Sequence, residues 1–453
     1  MAELSPRVST PLTTGLIILL GGMLAACASY RSAPLPVAPS PFPDAAALGR
    51  GATAARLAPL AVDLSRPLTP EALGVIAVIA SPDLKAARAK AGVAKAQAFA
   101  AGLLPDPVIS LGFDKPVGGP DTLTALAAAI GFDTSSLYLR GPMRAEAASA
   151  VEQARLDIAW QEWMTAGQAR LLAVRILGLQ RQYDLAARAR ASSDDMLART
   201  LTATLRGDLK QDDLEARRLA AADAAEREHG AERDLASARL DLNRLLGLDP
   251  TVRLEIATTA VTKAPARTLE ALFVLARDRR FDLAALRAGY ESQDARLRQT
   301  LLEQYPRLDL TLTAARDTGN VRTIGPSVGL TLPLWNRNRG AVAIEQATRE
   351  LLRAEYDLRL SETRADIAAL ISGLETGGRQ RRDLLVQVEP LRKSVATIEA
   401  AAARGDLAWS VAETARQSLT DKEIALAVIE QSLAEQTIAL DLAVGTPSGD
   451  QPK

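Results

Sequence analysis

After Pro306 the apolar and polar positions alternate, with Leu308, Leu310 and Leu312 on one side and Asp309, Thr311 and Thr313 on the other. Beyond the turn-forming Gly319-Asn320 the alternation resumes, and Val328, Leu330, Leu332 and Leu334 oppose Ser327, Gly329 and Thr331. A period of two over both arms predicts a β-hairpin with one greasy and one polar face. An earlier hairpin is expected after Leu104-Pro105, where Ile109, Leu111 and Phe113 oppose Ser110, Gly112 and Asp114; its return strand, within Leu126–Leu139, is weakly patterned. Four strands do not close a barrel, and an open two-faced sheet leaves unpaired edges, so several chains are expected to share one sheet.

Around each hairpin the pattern is helical. Thr69-Pro70-Glu71 combines a capping oxygen, a proline at the first helical position and an acid in the first turn, and Thr268 with Glu270 repeats the signal. These segments read as helical to Ala101 and Glu303. Past Gly141 and Asn336, long helices are expected over Met143–Leu205 and Gly340–Ala403, each about 90 Å at roughly 1.5 Å per residue. Arg349, Glu350, Arg353, Glu355, Asp357 and Arg359 crowd one stretch of the second, too many charges for a membrane span, so these helices stand in water. Arg206-Gly207-Asp208-Leu209 and Arg404-Gly405-Asp406-Leu407 then turn the chain back into shorter helices. Leu419, Leu426, Leu433 and Leu440 recur every seventh residue, which requires supercoiling against a neighbour. A dimeric zipper and a coiled-coil wall both satisfy that spacing; the number of helices fits the wall better.

The anchors Thr69, Pro105, Gly207 and Gly247 thus recur as Thr268, Pro306, Gly405 and Gly445. A period of about 200 residues is far longer than a solenoid unit, so a whole subdomain is duplicated. The expected organisation is a signal peptide (1–26), a lipidated proline-rich linker (27–68), a first repeat (69–250), an inter-repeat linker (251–267), a second repeat (268–447) and a tail (448–453). The signal rests on Arg7, the apolar run Gly15–Leu24 and the Leu24-Ala25-Ala26 before Cys27, with Glu3 as a point against it. The linker rests on Pro34, Pro36, Pro39, Pro41, Pro43 and Pro67.

The chain has 453 residues, with 54 basic and 54 acidic side chains. That balance argues against nucleic acid as a partner, because such binders need a basic surplus. Abundant alanine and only 4 % aromatics suit closely packed helices. One histidine, five methionines and one cysteine leave nothing to build a soft-metal site. His229, within Glu226-Arg227-Glu228-His229-Gly230, reads as a solvent-facing residue of a charged helix. No nucleophile, base and orienter set is visible, so neither an enzyme nor a cofactor is expected.

Duplicated helix, β-hairpin, long helix, Gly turn and helix, behind a lipobox-like Leu24-Ala25-Ala26-Cys27, resembles the TolC-like outer-membrane efflux protein family. The most specific stretch is Ser327-Val328-Gly329-Leu330-Thr331-Leu332-Pro333-Leu334-Trp335-Asn336-Arg337-Asn338-Arg339-Gly340, similar to that family's exit from its second hairpin. Leu103-Leu104-Pro105-Asp106-Pro107 is similar to its cation-efflux branch. The resemblance implies a mainly α protein with membrane β, a trimer whose strands share one barrel in the outer membrane above an α-helical periplasmic barrel. It implies acylation of Cys27, Ala28 following the outer-membrane sorting pattern, and partnership with a periplasmic adaptor and an inner-membrane exporter. The turns Arg206, Gly207, Asp208, Arg404, Gly405 and Asp406 become adaptor-docking tips. Asp406 and Glu413 become candidates for an acidic periplasmic constriction, though a solvated helix face fits them as well; Val411 and Thr414 stand where relatives often carry acids. Trp409, near the second turn, reads as a contact or as packing. The function expected is a passive outer-membrane exit duct. The rival, a periplasmic adaptor, has one helical hairpin between compact β domains, whereas this chain has two hairpins and greasy strand pairs.

Overall fold

The computed structural model describes residues 31–38, 40–48, 50, 63–258 and 268–446. The expected signal peptide, Cys27, the core of the inter-repeat linker and the tail at 448–453 lie outside the described residues. Met1–Pro41 and Phe42–Lys453 form separate units, and every described helix and strand belongs to the second.

A short helix α1 (Ala45–Leu48) precedes the first repeat: α2 (Pro70–Ala80), α3 (Pro82–Gly102), β1 (Val108–Asp114), β2 (Ala125–Asp133), α4 (Ser135–Leu205) and α5 (Gln211–Leu246). The second repeat gives the same order: α6 (Leu269–Arg279), α7 (Phe281–Leu302), β3 (Arg307–Arg316), β4 (Arg322–Thr331), α8 (Arg339–Arg404) and α9 (Trp409–Val444). Thr69 and Thr268 cap α2 and α6 with their hydroxyls, accepting from the N–H of Ala72 and Ala271.

Each expected first helix is two. The break falls at Ser81, before Pro82, and at Arg280, both with ψ near +126°. A proline cannot continue a helix hydrogen-bond ladder, which explains the first break; at Arg280 the buried side chain, described below, fixes the corner instead. Helix α4 also begins earlier than Met143. It runs from Ser135 through Pro142, because Thr134 is tied to the Leu308 carbonyl by its N–H and hydroxyl and Asp133 accepts from the Ser135 N–H. At 71 residues α4 extends about 105 Å at 1.5 Å per residue.

Both repeats bury equivalent side chains where the short helix meets the long pair. Leu73, Ile76, Ala77, Leu242 and Leu246 lie in the first core, and Leu272, Ala276, Leu440 and Val444 in the second. Each such leucine stabilises the fold by about 1.5–3 kcal/mol relative to exposure. The first core is larger because the segment expected to be an extended linker docks on it. Leu48 is fully buried, Phe42 and Leu64 pack at its edge, and Phe42 and Leu68 form parallel bridges to Leu248 and Ile256. The greasy residues between the prolines, not the prolines, decide that segment. Of the heptad leucines, Leu426, Leu433 and Leu440 are buried and Leu419 is half-buried.

The four strands form one antiparallel sheet in the order β1-β2-β3-β4. The two hairpins join through β2 and β3, pairing Leu126 with Arg316 through to Asp133 with Asp309. Strands β1 and β4 are its edges.

Candidate functional site

The register sorts the sheet into two chemically different faces. Across the strands, Leu111, Ala128, Ala314 and Ile324 share a rung, as do Ile109, Ile130, Leu312 and Pro326. Nearer the helices come Phe132, Leu310 and Val328, then Leu308 with Leu330. Alternate rungs point the other way and carry Ser110, Thr311, Thr313, Thr323, Ser327 and Asp309. The apolar face is bare: Leu111 is 72 %, Ile324 76 % and Val328 62 % exposed. Bare surface of that size marks a lipid or protein contact. None of the described helices is long and apolar enough to cross a membrane.

The chain leaves β4 through Pro333, Leu334 and an exposed Trp335, then bends at Arg337 and Asn338, both in the left-handed region at φ 46° and 51°. The bend is fixed by Asn338 Nδ2, which donates to the Thr300 carbonyl at 3.0 Å and to Glu303 Oε2 at 3.4 Å. Beyond it, helix α8 presents Ile344, Leu351 and Leu358, seven residues apart and each more than half exposed. Val93 and Phe99 are similarly bare on α3.

At the far end the two turns are built alike. Gly207 and Gly405 each have φ +85°, a conformation that strains any side chain but glycine. Asp208 N–H donates to the Ala203 carbonyl and Asp406 N–H to the Ala401 carbonyl, both at 2.9 Å, closing the same helix-ending loop. Arg206, Asp208, Arg404 and Asp406 are all exposed, as an accessible tip needs. Arg404 Nε pairs with Asp406 Oδ2 at 3.0 Å.

Glu413, expected beside Asp406 on an open constriction, is instead 4 % exposed. Its Oε2 accepts from the Ser192 hydroxyl of α4 at 2.7 Å and from Arg416 Nη1 at 3.2 Å, while Arg416 Nε reaches Glu399 on α8 at 2.6 Å. Helices α4, α8 and α9 are thereby latched together, and Glu413 serves that latch rather than a lumen. Trp409 packs beneath the Arg199 guanidinium, 4.8 Å from its ring centroid. Ser192, Arg199, Glu399 and Arg416 carried no sequence signal, because their roles arise only when separate helices meet: Ser192 and Arg199 against the second repeat, Glu399 against Arg416 within it. His229 is 54 % exposed on its side chain, with Glu232 at 3.8 Å. Among the described residues no cluster of His, Cys, Asp and Glu could hold a metal.

A second charged cluster ties the hairpins near α7. Arg280, 4 % exposed, donates to both oxygens of Asp282 and to the Ala443 carbonyl and lies over Trp160. Arg359 Nε adds a third contact to Asp282 at 2.8 Å. Burial pushes the Asp282 carboxyl up, but hydrogen bonds and charge from Arg280 and Arg359 outweigh it and hold the group below the usual carboxylate range. Asp157 close by is raised, first by burial and then by the Asp282 charge.

A helical hairpin pair rooted in a four-stranded sheet with a bare apolar face is the fold of the TolC-like outer-membrane channels. Residues 272–446 match the protein family described as outer membrane efflux protein. The solved outer-membrane channel CmeC of Campylobacter jejuni is 14 % identical, with 84 % of this chain and 87 % of that one covered and a TM-score of 0.72. The outer membrane protein VceC of Vibrio cholerae is 17 % identical over 83 % of this chain and 96 % of that one, TM-score 0.67. The MtrE outer membrane channel of Neisseria gonorrhoeae is 16 % identical over 83 % and 89 %, TM-score 0.64. No curated protein matches the chain. The fold is therefore that of the channels, with the family's signature in the second repeat.

Proposed function

We propose that this chain is one protomer of a trimeric exit duct in the outer membrane, receiving cargo from an inner-membrane exporter through a periplasmic adaptor. The observation that carries it is the sheet: one face apolar and bare, the other hydroxyl-rich, and both edges unpaired. Three copies supply twelve strands, enough to close a barrel with lipid outside and water inside. The bare heptad stripe Ile344, Leu351 and Leu358 supports the same closure among the helices, since such a stripe requires a partner helix and α3 of the next copy offers Val93 and Phe99.

The turns at Arg206, Gly207, Asp208 and Arg404, Gly405, Asp406 are the docking tips for the adaptor, and threefold symmetry makes Asp406 a ring of three carboxylates at the periplasmic mouth. Cys27 is the acylation site that anchors the chain to the membrane. The duct performs no reaction and holds no cofactor; energy comes from the exporter. An adaptor is the weaker reading, because a bare sheet face of this pattern has no use in a periplasmic binding module.

Planar-bilayer recording of the purified full-length protein tests the reading. Discrete conductance steps with cation preference, weakened by Asp406→Asn, are expected. Absence of any step from correctly folded, membrane-extracted protein would remove the channel reading.

A further inference from the structure

The apolar face of the sheet ends, on the side of the hairpin turns, in two arginines. Arg316 on β3 and Arg322 on β4 are direct cross-strand partners, and Leu126 and Phe113 complete their rung. Like charges set opposite each other repel. Among the described residues neither guanidinium forms an ion pair: Arg316 Nη2 donates to the Thr124 carbonyl at 3.1 Å, and its Nε is buried without a partner. The acids nearby face other groups. Asp317 Oδ1 accepts from the Val321 N–H at 2.8 Å, Asp121 Oδ2 accepts from the Thr318 hydroxyl at 2.6 Å, and Asp114 alternates onto the opposite face. Directly below the pair the rung narrows to Ala128 and Ala314, which floor a cleft of about 520 Å³ walled by Leu111, Phe113 and Leu126.

We infer that this cleft holds an acyl chain of a lipid in the outer leaflet, and that Arg316 and Arg322 clamp the phosphate of its headgroup. The inference rests on the barrel reading above, which turns the hairpin loops outward. Rungs of one face recur about every 6.8 Å along a strand, so the arginine rung stands about 27 Å from Leu308 and Leu330. At a tilt near 40° this is about 20 Å of height, and the apolar band of such barrels is about 25 Å tall. The guanidiniums therefore reach the outer boundary of the hydrocarbon, where lipid phosphates lie. A phosphate between them replaces repulsion by charge-assisted, forked hydrogen bonds. The adjoining apolar cleft favours an amphiphile over a free anion.

Native mass spectrometry of the detergent-extracted full-length trimer tests this, with titration by diphosphoryl lipid A and by the same lipid dephosphorylated. Wild type is expected to retain the phosphorylated form about tenfold better, given the strength of charge-assisted pairs. R316Q/R322Q is expected to lose that preference and R316K/R322K to keep part of it. A314L, which fills the cleft and leaves both arginines, is expected to weaken retention whatever the assembly of the glutamine variant. Equal retention of both lipids by wild type, or an unchanged preference in R316Q/R322Q, overturns the site. Full displacement by an equal concentration of inorganic phosphate also overturns it, since the acyl chain then contributes nothing. A stable trimer without lipid preference removes the lipid site alone, whereas a wild type that forms no trimer removes the barrel reading with it.

Discussion

The two repeats place the same residues at the same distance from their turns and give them different work. Past Gly207, Glu215 and Arg218 pair within α5 at 2.7 Å with both side chains half exposed. At the same steps past Gly405, Glu413 and Arg416 form the latch to Ser192 and Glu399, with the Glu413 side chain 5 % exposed. The starts of α3 and α7 contrast likewise: Asp83 is an exposed first-turn acid, whereas Asp282 is buried between Arg280 and Arg359. Duplication kept the backbone and the Glu-Arg pair after each turn, but not Arg280, whose counterpart is Ser81. Burial, which differs between copies, sets what each pair is worth, because removing one partner of a buried pair strands the other while an exposed pair is screened.

The largest test of that contrast is Asp282→Asn against Asp83→Asn. The first is expected to destabilise by about 3 kcal/mol, since it strands a guanidinium that is almost fully buried; the second by roughly a few tenths, the scale of an exposed acid at a helix start. Thermal unfolding of the two variants checks this. The pH dependence follows from the same site. Asp282 is depressed in the fold, so its contribution is present above the ordinary aspartate value and is lost as pH falls through its folded value, a loss missing in Asp282→Asn. Asp157 is raised and has the opposite sign: Asp157→Asn is expected to stabilise near neutral pH, with the gain fading as pH falls towards the raised value.

Next in size, Glu413→Ala is expected to cost about 2 kcal/mol, because Ser192 and Arg416 lose a buried acceptor. Glu215→Ala is expected to cost about 0.3 kcal/mol, as a surface pair on one helix does. Equal losses in both would show the latch to be idle. Gly207→Ala and Gly405→Ala sharpen the comparison from the other side, since the glycines are alike in φ and both stand clear of neighbours. About 1 kcal/mol is expected for each; a marked difference in stability would mean that one turn is strained by something beyond its own backbone.

The same contrast separates what was legible in the sequence from what was not. Thr69 and Thr268, the glycines at the turns and the alternation from Leu308 to Leu330 act within a few residues, and each appears in the structure where the pattern puts it. Strand β2, Ala125–Asp133, was faint because alanines at successive positions blur the two-residue period. The break at Ser81 follows from its neighbour Pro82, but the break at Arg280, the docking of Phe42 and Leu48, the pairing of β2 with β3 and the burial of Glu413 all depend on partners far along the chain. No local pattern encodes the latter. Arg316 and Arg322 were hidden in the same way, since only the register sets them opposite each other.

The most direct test of the shared barrel is the state of the full-length protein extracted from isolated outer membranes with mild detergent, run on a gel before and after boiling. A detergent-stable trimer that falls to a slower or faster monomer band on boiling is expected, as for a closed sheet shared by three chains. A protein released by salt, or one that stays monomeric before boiling or fractionates with the inner membrane, would contradict the trimeric duct.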